Sequence, residues 1–417
     1  MRPLLVALAA FSALAFAQTP VAWEDALARQ QWREAEPLLK AALAEAETAP
    51  VLRGLATVYR ATGRIEAAEP VLERLVALDG SSASLEDLAR VHASLGHLEP
   101  AETLYRRSLE LRLDAGTDLL ASIPVRTRLA QVLVAEKKFP EAEQEARSVI
   151  ALRTRGAGAN PLGANQSDLA GDNALLARIF QAQEKWRDAA GVWETVAAIQ
   201  TSAFGYDDLR VADTLDNLAT CRTELQLFDQ AEDALRRALA IRELNLGSSN
   251  SEVAATTDQL GKLLYSVKRF GDAEQLFRRA LTIYISLLGP DSSMLGRSYD
   301  NLAVTEAMLE KYADSEALYR EALKLRDGDD ALNLRNLARV LATQGKNAEA
   351  QPFYSRALAV LDSGNHQNSD LLPVILSEYA DLLRDLKRPA EAARLDQRLK
   401  GGKQVPPGKR PPVAAKQ

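Results

Sequence analysis

The sequence predicts an all-α protein built as an array of antiparallel helix hairpins. A short mark recurs in steps of 42 residues: Phe228-x-x-Ala231-Glu232, Phe270-x-x-Ala273-Glu274 and Tyr312-x-x-Ser315-Glu316. Each mark follows an apolar stretch of helical period and is followed, seven residues past its small anchor, by Ala238-Leu239, Ala280-Leu281 or Ala322-Leu323. The composition, 47% hydrophobic with only 6% aromatic, is that of packed helices. A fixed period of this size marks a repeat array. The 417 residues therefore measure copy number rather than a count of globular domains.

Taken in order, the chain opens with Arg2, an apolar run from Pro3 to Phe16, and Ala15-Phe16-Ala17. This pattern reads as a signal peptide over residues 1–17, cleaved before Gln18. The run is short of the ~20 residues that span a bilayer. No cysteine stands near the cut to take a lipid, and no later stretch could span a membrane. Short-type helical repeats are expected over 18–153. Their marks are Trp32-x-x-Ala35-Glu36, Ile65-x-x-Ala68-Glu69, Leu98-x-x-Ala101-Glu102 and Phe139-x-x-Ala142-Glu143. A Gly/Asn-rich linker loop is expected over 154–168. It lacks the Gly-Lys-Ser/Thr ending and the preceding strand of a phosphate-binding loop. Long-type repeats follow over 169–400, with Trp186-x-x-Ala189 before the clear trio and the degenerate Asn347-x-x-Ala350 and Pro389-x-x-Ala392 after it. The ten anchors stand 33, 33, 41, 47, 42, 42, 42, 35 and 42 residues apart. The stretch 401–417 carries Gly, Pro, Lys and Arg with no acid and is expected to be a disordered basic tail.

Within a unit, Val211, Leu215, Leu218, Ala219 and Leu225 give a helix over about 210–225. A break at Gln226-Leu227 leads into a second helix over about 229–239. So short a connection makes the two helices antiparallel neighbours. The small anchor fits a close helix crossing that a larger side chain would force apart. Gly205, Gly247 and Gly289 are placed to end second helices with positive φ, and Asn250 and Asp291 suit the starts that follow. The extra residues of the 42-residue units are read as longer second helices and linkers rather than a new element. Asp327-Gly-Asp-Asp330 lacks the spaced ligands of a calcium loop and reads as a turn with an acidic helix start.

Leu260-Gly261 followed by Ala273-x-x-x-Phe277 and Ala280 resembles the tetratricopeptide-repeat pattern. The 42-residue copies, above all Leu288-Gly289-Pro290-Asp291 through Asp300-Asn301-Leu302-Ala303 to Ala322-Leu323, resemble the kinesin-light-chain variant of that repeat. The resemblance implies a right-handed superhelical solenoid of about ten repeats. It also implies that the first helix of each unit lines a concave groove for extended peptides. From the third unit on, the residues fourteen before each anchor then form a column: Asp87, Arg128, Leu175, Asn217, Gln259, Asn301, Asn336 and Glu378. A carboxamide can donate to and accept from a peptide backbone whatever the side chains, which makes Asn217, Gln259, Asn301 and Asn336 candidate peptide-binding residues. Helical spacing adds Thr220, Lys262, Arg297 and Arg339 to the same face. The cations there favour an acidic segment or a C-terminal carboxylate, while Asp213 and Glu224 favour the opposite at one end.

No catalytic motif emerges. The three histidines, His92, His97 and His366, lack metal-site spacing and read as surface or turn residues. The one cysteine, Cys221, lies among Leu218, Ala219 and Leu225 and reads as a core residue. A net charge of −6 argues against nucleic-acid binding. The expectation is an exported, periplasmic or secreted scaffold or adaptor for a protein or peptide partner, with no cofactor, metal or catalysis. The rival readings are an enzyme or sensor with an unrecognised site and a structural envelope component.

Overall fold

The computed structural model describes residues 22–116, 119–156, 166–326, 330–363 and 370–401. The expected signal peptide, the basic tail beyond Gly401, His366, Asp327 to Asp329 and the centre of the linker loop lie outside them. Among the described residues the regular structure is helical. The first helices of the hairpins are α1 (Ala22–Ala28), α3 (Ala49–Ala61), α5 (Ser82–Ser94), α7 (Ile123–Ala135), α9 (Gln166–Ala182), α11 (Leu209–Glu224), α13 (Ser251–Ser266), α15 (Gly296–Met308), α17 (Ala331–Thr343) and α19 (Leu372–Asp385). The second helices are α2 (Trp32–Glu45), α4 (Ile65–Asp79), α6 (Leu98–Asp114), α8 (Phe139–Gly156), α10 (Trp186–Phe204), α12 (Phe228–Leu246), α14 (Phe270–Leu288), α16 (Tyr312–Leu325), α18 (Asn347–Asp362) and α20 (Pro389–Gly401).

The marks and the helices coincide. The large residue of each mark is the first residue of a second helix, and the small anchor is its fourth. All ten anchors are buried, from Ala35 to Ala392. Ser315 shows how close the crossing is: its hydroxyl donates to the carbonyl of Ala303 on the facing helix at 2.7 Å. That partner sits twelve residues before the anchor, and the place is also small in every other unit but the first, which has Trp23 there; Ala219 and Gly261 are examples. At Gly261 an added Cβ would lie 2.8 Å from the Phe277 ring.

The hairpin turns share one geometry. The residue five before each anchor has positive φ: Gly63, Gly96 and Gly345 in three units, but Gln30, Lys137, Glu184, Gln226, Lys268, Glu310 and Lys387 in seven. The next backbone N–H donates to the carbonyl five residues back, as Leu227 does to Arg222 at 2.8 Å and His97 to His92 at 2.9 Å. This is the Schellman closure, which satisfies carbonyls left over at a helix end and fixes the reversal.

Contacts group the chain into two units, residues 1–192 and 193–417, divided within α10 rather than at the linker loop. In the first, Leu39, Leu52, Leu55, Leu72 and Leu75 form a core. In the second, Tyr319, Leu334, Leu337, Tyr354, Ile375 and Leu376 do the same. Cys221 is buried on α11.

Several boundaries differ from the sequence reading. The second helix expected to end near Leu239 runs to Leu246, because nothing after Leu239 breaks it before Gly247. Gly247, Gly289 and Gly205 do take positive φ, at 78°, 80° and 97°. Asn250 caps α13 by accepting from the Glu252 N–H at 2.8 Å, and Asp330 caps α17. Asp291 lies in the turn after α14, and a short 3-10 turn, Ser293–Leu295, intervenes before α15, an element the spacing did not announce. The linker loop is shorter than 154–168, since α8 reaches Gly156 and α9 begins at Gln166.

Two charge patterns repeat with the units. The glutamate after an anchor pairs with the cation that precedes the next second helix: Glu36–Arg64 at 2.6 Å, Glu102–Lys138 at 2.6 Å, Glu143–Lys185 at 3.4 Å, Glu232–Arg269 at 2.7 Å, Glu274–Lys311 at 2.6 Å and Glu316–Lys346 at 2.7 Å. A second pattern clasps four of the hairpins, joining the residues fifteen before and eleven after the anchor. It holds Glu86 to Arg112, Asp216 to Arg242 and Asp300 to Arg326, and it reappears with the charges exchanged as Arg53–Asp79. Arg242 is 5% exposed and also reaches Asp213 at 2.6 Å and Thr256 at 2.5 Å, so it ties α12 to both flanking first helices. Burial pushes Asp216 and Asp300 up to about 6, outweighing the guanidinium beside each.

Candidate peptide-binding face

The eight candidate residues all lie in the second unit, on α11, α13, α15 and α17. The column is real as a structural line, but much of it joins neighbouring first helices to one another. Asn301 donates from Nδ2 to Asp258 at 2.9 Å, on the first helix of the preceding unit. Gln259 stands in the same relation to α11, with Nε2 3.4 Å from Thr220 Oγ1 and 3.5 Å from the Asp216 carbonyl. Glu378 continues the line through Arg335, whose Nε donates to it at 2.8 Å. Asn217 donates back to its own helix, to the Asp213 carbonyl at 2.8 Å.

Asn336 departs furthest from expectation. It is 5% exposed, and its Oδ1 has no hydrogen-bond partner among the described residues. The step from Asn301 to Asn336 is shorter than 42, and the sequence places Asn336 between Arg335 and Leu337 on a helix buried on most sides. It is a core amide against Tyr319 rather than a surface contact. Gln259 and Asn301 thus join adjacent first helices, an arrangement that sequence spacing does not distinguish from ligand binding.

The cations behave differently. Thr220, Lys262 and Arg297 are exposed, and Arg339 is half-buried. Lys262 pairs along its helix with Asp258 at 2.7 Å. Arg297 and Arg339 make no ion pair among the described residues. Burial raises the phenols of Tyr265, Tyr319 and Tyr354, and the charge of Arg339 opposes that shift in all three. On the second helices, by contrast, Arg236, Arg278 and Arg320 are held by Glu232, Glu274 and Glu316. Those three second-helix arginines are neutralised along their own helices, whereas Arg297 and Arg339 have no acidic partner among the described residues.

Two surface depressions lie elsewhere. One of about 650 Å³ is lined by Ala197, Thr201, Tyr206 and Arg237, and one of about 450 Å³ by Pro140, Gln144 and Ser148. Among the described residues no helix is long and apolar enough to cross a membrane. His92 and His97, read from sequence as surface or turn residues, converge on Glu69.

Stacked two-helix units with a small buried residue at each crossing define a helical-repeat protein. Models described as tetratricopeptide repeat match residues 26–85, 82–114, 169–243, 252–327 and 302–366, together more than half of the sequence. The chain belongs to the tetratricopeptide-repeat family, whose members are generally protein-interaction scaffolds. No curated protein matches it. Among solved structures it is similar to BtubC (BKLC) from P. vanneervenii, at 22% identity over 60% of this chain and 91% of that one, with TM-score 0.46. It is similar to the TPR-like repeats of a Podosopora anserina putative kinesin light chain, at 19% identity over 49% and 100%, with TM-score 0.44. It is also similar to a tetratricopeptide repeat protein from Parabacteroides merdae, at 17% identity over 68% and 94%, with TM-score 0.46.

Proposed function

We propose that this chain is an exported scaffold or adaptor, without catalysis of its own, that holds an acidic or carboxylate-bearing peptide segment against the first-helix face of its second unit. The observation that carries the reading is the contrast in charge pairing. Among the described residues Arg297 and Arg339 have no acidic partner on the face that also exposes Thr220 and Lys262, while Arg236, Arg278 and Arg320 on the second helices are each paired with a glutamate. Arginine is among the residue types that anchor protein interfaces. Export rests on Arg2, the apolar run to Phe16 and Ala15-Phe16-Ala17.

The test is affinity capture with the full chain from the extracytoplasmic fraction, comparing the unaltered protein with an Arg297→Glu/Arg339→Glu variant of unchanged helicity. Loss of a specific partner in the variant supports the reading. Equal capture by both removes the face assignment. Turnover of a substrate by the purified chain, abolished by a single carboxylate change, would instead establish an enzyme.

A further inference from the structure

We propose that Glu69, His92 and His97 form a binding site for one divalent transition-metal ion of the zinc type, set at the junction of the second and third hairpins. Glu69 Oε1 lies 3.2 Å from His92 Nδ1 and 3.5 Å from His97 Nδ1, and the two Nδ1 atoms are 3.4 Å apart. Two of these separations exceed the usual 2.7–3.2 Å range of an N–H···O hydrogen bond, and two imidazole nitrogens cannot both donate to each other. The three distances instead resemble the edges of a tetrahedron. Bonds of ~2.0–2.1 Å from nitrogen and carboxylate oxygen to zinc place ligand atoms about 3.3–3.4 Å apart.

The site is also where the charge ladder breaks. Every other ladder glutamate has a Lys or Arg before the next second helix, and all of them have one four residues further along their own helix, from Lys40 to Arg320. Glu69 has neither: His97 stands in the first place and Glu73 in the second. Its carboxylate meets only the two histidines among the described residues. The pair is positioned by backbone, not by chance of side-chain packing. His97 and His92 are the two ends of the Schellman closure of that turn, with the His97 N–H donating to the His92 carbonyl at 2.9 Å. Glu69 comes from α4, so the cluster exists only when two hairpins are stacked. His92 is largely covered while the His97 side chain is 52% exposed, which leaves an outward side for water or a partner's ligand atom. Two imidazoles and a carboxylate with an open fourth position is a known zinc ligand set.

The experiment is titration of the full chain with Zn²⁺ by calorimetry, with thermal unfolding in the same buffers. His97→Lys is the main variant, since it restores the ladder's ordinary Lys–Glu pair and should keep the fold, checked by circular dichroism. His92→Gln is the second. One equivalent bound by the unaltered chain, a zinc-dependent rise in its Tm, and at least a tenfold weakening in both variants are expected. No zinc uptake by the unaltered chain at micromolar concentrations, or the same uptake and Tm rise in His97→Lys, would overturn the site.

Discussion

Replacing Gly261 with Ala sets two effects of known size against each other. Gly261 lies within α13, where alanine is ordinarily better than glycine by about 0.5–1 kcal/mol. The new methyl would stand 2.8, 2.9 and 3.1 Å from three ring atoms of Phe277, against the ~3.5–4.0 Å of a normal carbon contact. Phe277 is 3% exposed and cannot swing into solvent, so the ring and α14 must shift together. Overpacking of this kind costs about 1–3 kcal/mol, so the clash wins and the net loss is about 1 kcal/mol. Gly171→Ala, on the exposed side of α9 with open space around it, gives the propensity gain without the clash. Phe277→Leu in the Gly261→Ala background relieves the contact and makes the alanine favourable relative to glycine in that background. Thermal unfolding, with hydrogen exchange of the α13 and α14 amides as a local readout, checks all three. Stabilisation by Gly261→Ala equal to that of Gly171→Ala would refute the close crossing.

Three further outcomes follow from the packing. Arg242→Met leaves the half-buried Asp216 without its clasp and is expected to cost about 2–4 kcal/mol, read by chemical denaturation; a change within the range of an exposed ion pair would show that the clasp is only surface pairing. Asp300 is raised from 3.8 to about 6 in the folded chain, so the native state holds its proton more tightly than the unfolded state. Its contribution is present below about pH 4 and is lost as pH rises through 6. The stability gap between the unaltered chain and Asp300→Asn should move against the unaltered chain by about 2–3 kcal/mol between pH 4 and 7, and a pH-independent gap would contradict this. Lys268 sits at φ 65°, so Lys268→Val is expected to cost about 1–2 kcal/mol while Lys268→Gly does not destabilise; equal behaviour of the two in thermal unfolding would show that the turn relaxes out of the left-handed region.

The helix hairpins were legible because a small residue at each crossing is a steric requirement, and a requirement repeated ten times leaves a period. The left-handed turn residue was not, although it stands five before every anchor. Seven of its ten occupants are Gln, Glu or Lys, whose identity carries no φ > 0 signal. The hairpin clasp was hidden differently: Arg53–Asp79 reverses the charges found at Asp216–Arg242, so the interaction repeats while the residue types do not. For the candidate face, spacing put these residues on one line. It could not show that Asn301 is engaged by Asp258 or that Asn336 is buried, because those depend on how adjacent first helices approach. The Glu69, His92 and His97 cluster escaped for the same reason. Its members are close only across a hairpin junction, and no short motif joins them.

The proposed binding face is tested most directly by site-specific photo-crosslinking in the full chain, with the reactive side chain placed in turn at Thr220, Lys262 and Arg297 on the first helices and at Arg236, Arg278 and Arg320 on the second. We predict that one specific partner is captured from the first-helix positions and not from the second-helix ones, and that excess acidic peptide suppresses the capture. Capture confined to Arg236, Arg278 and Arg320 would place the partner on the ion-pair ladder and contradict the account.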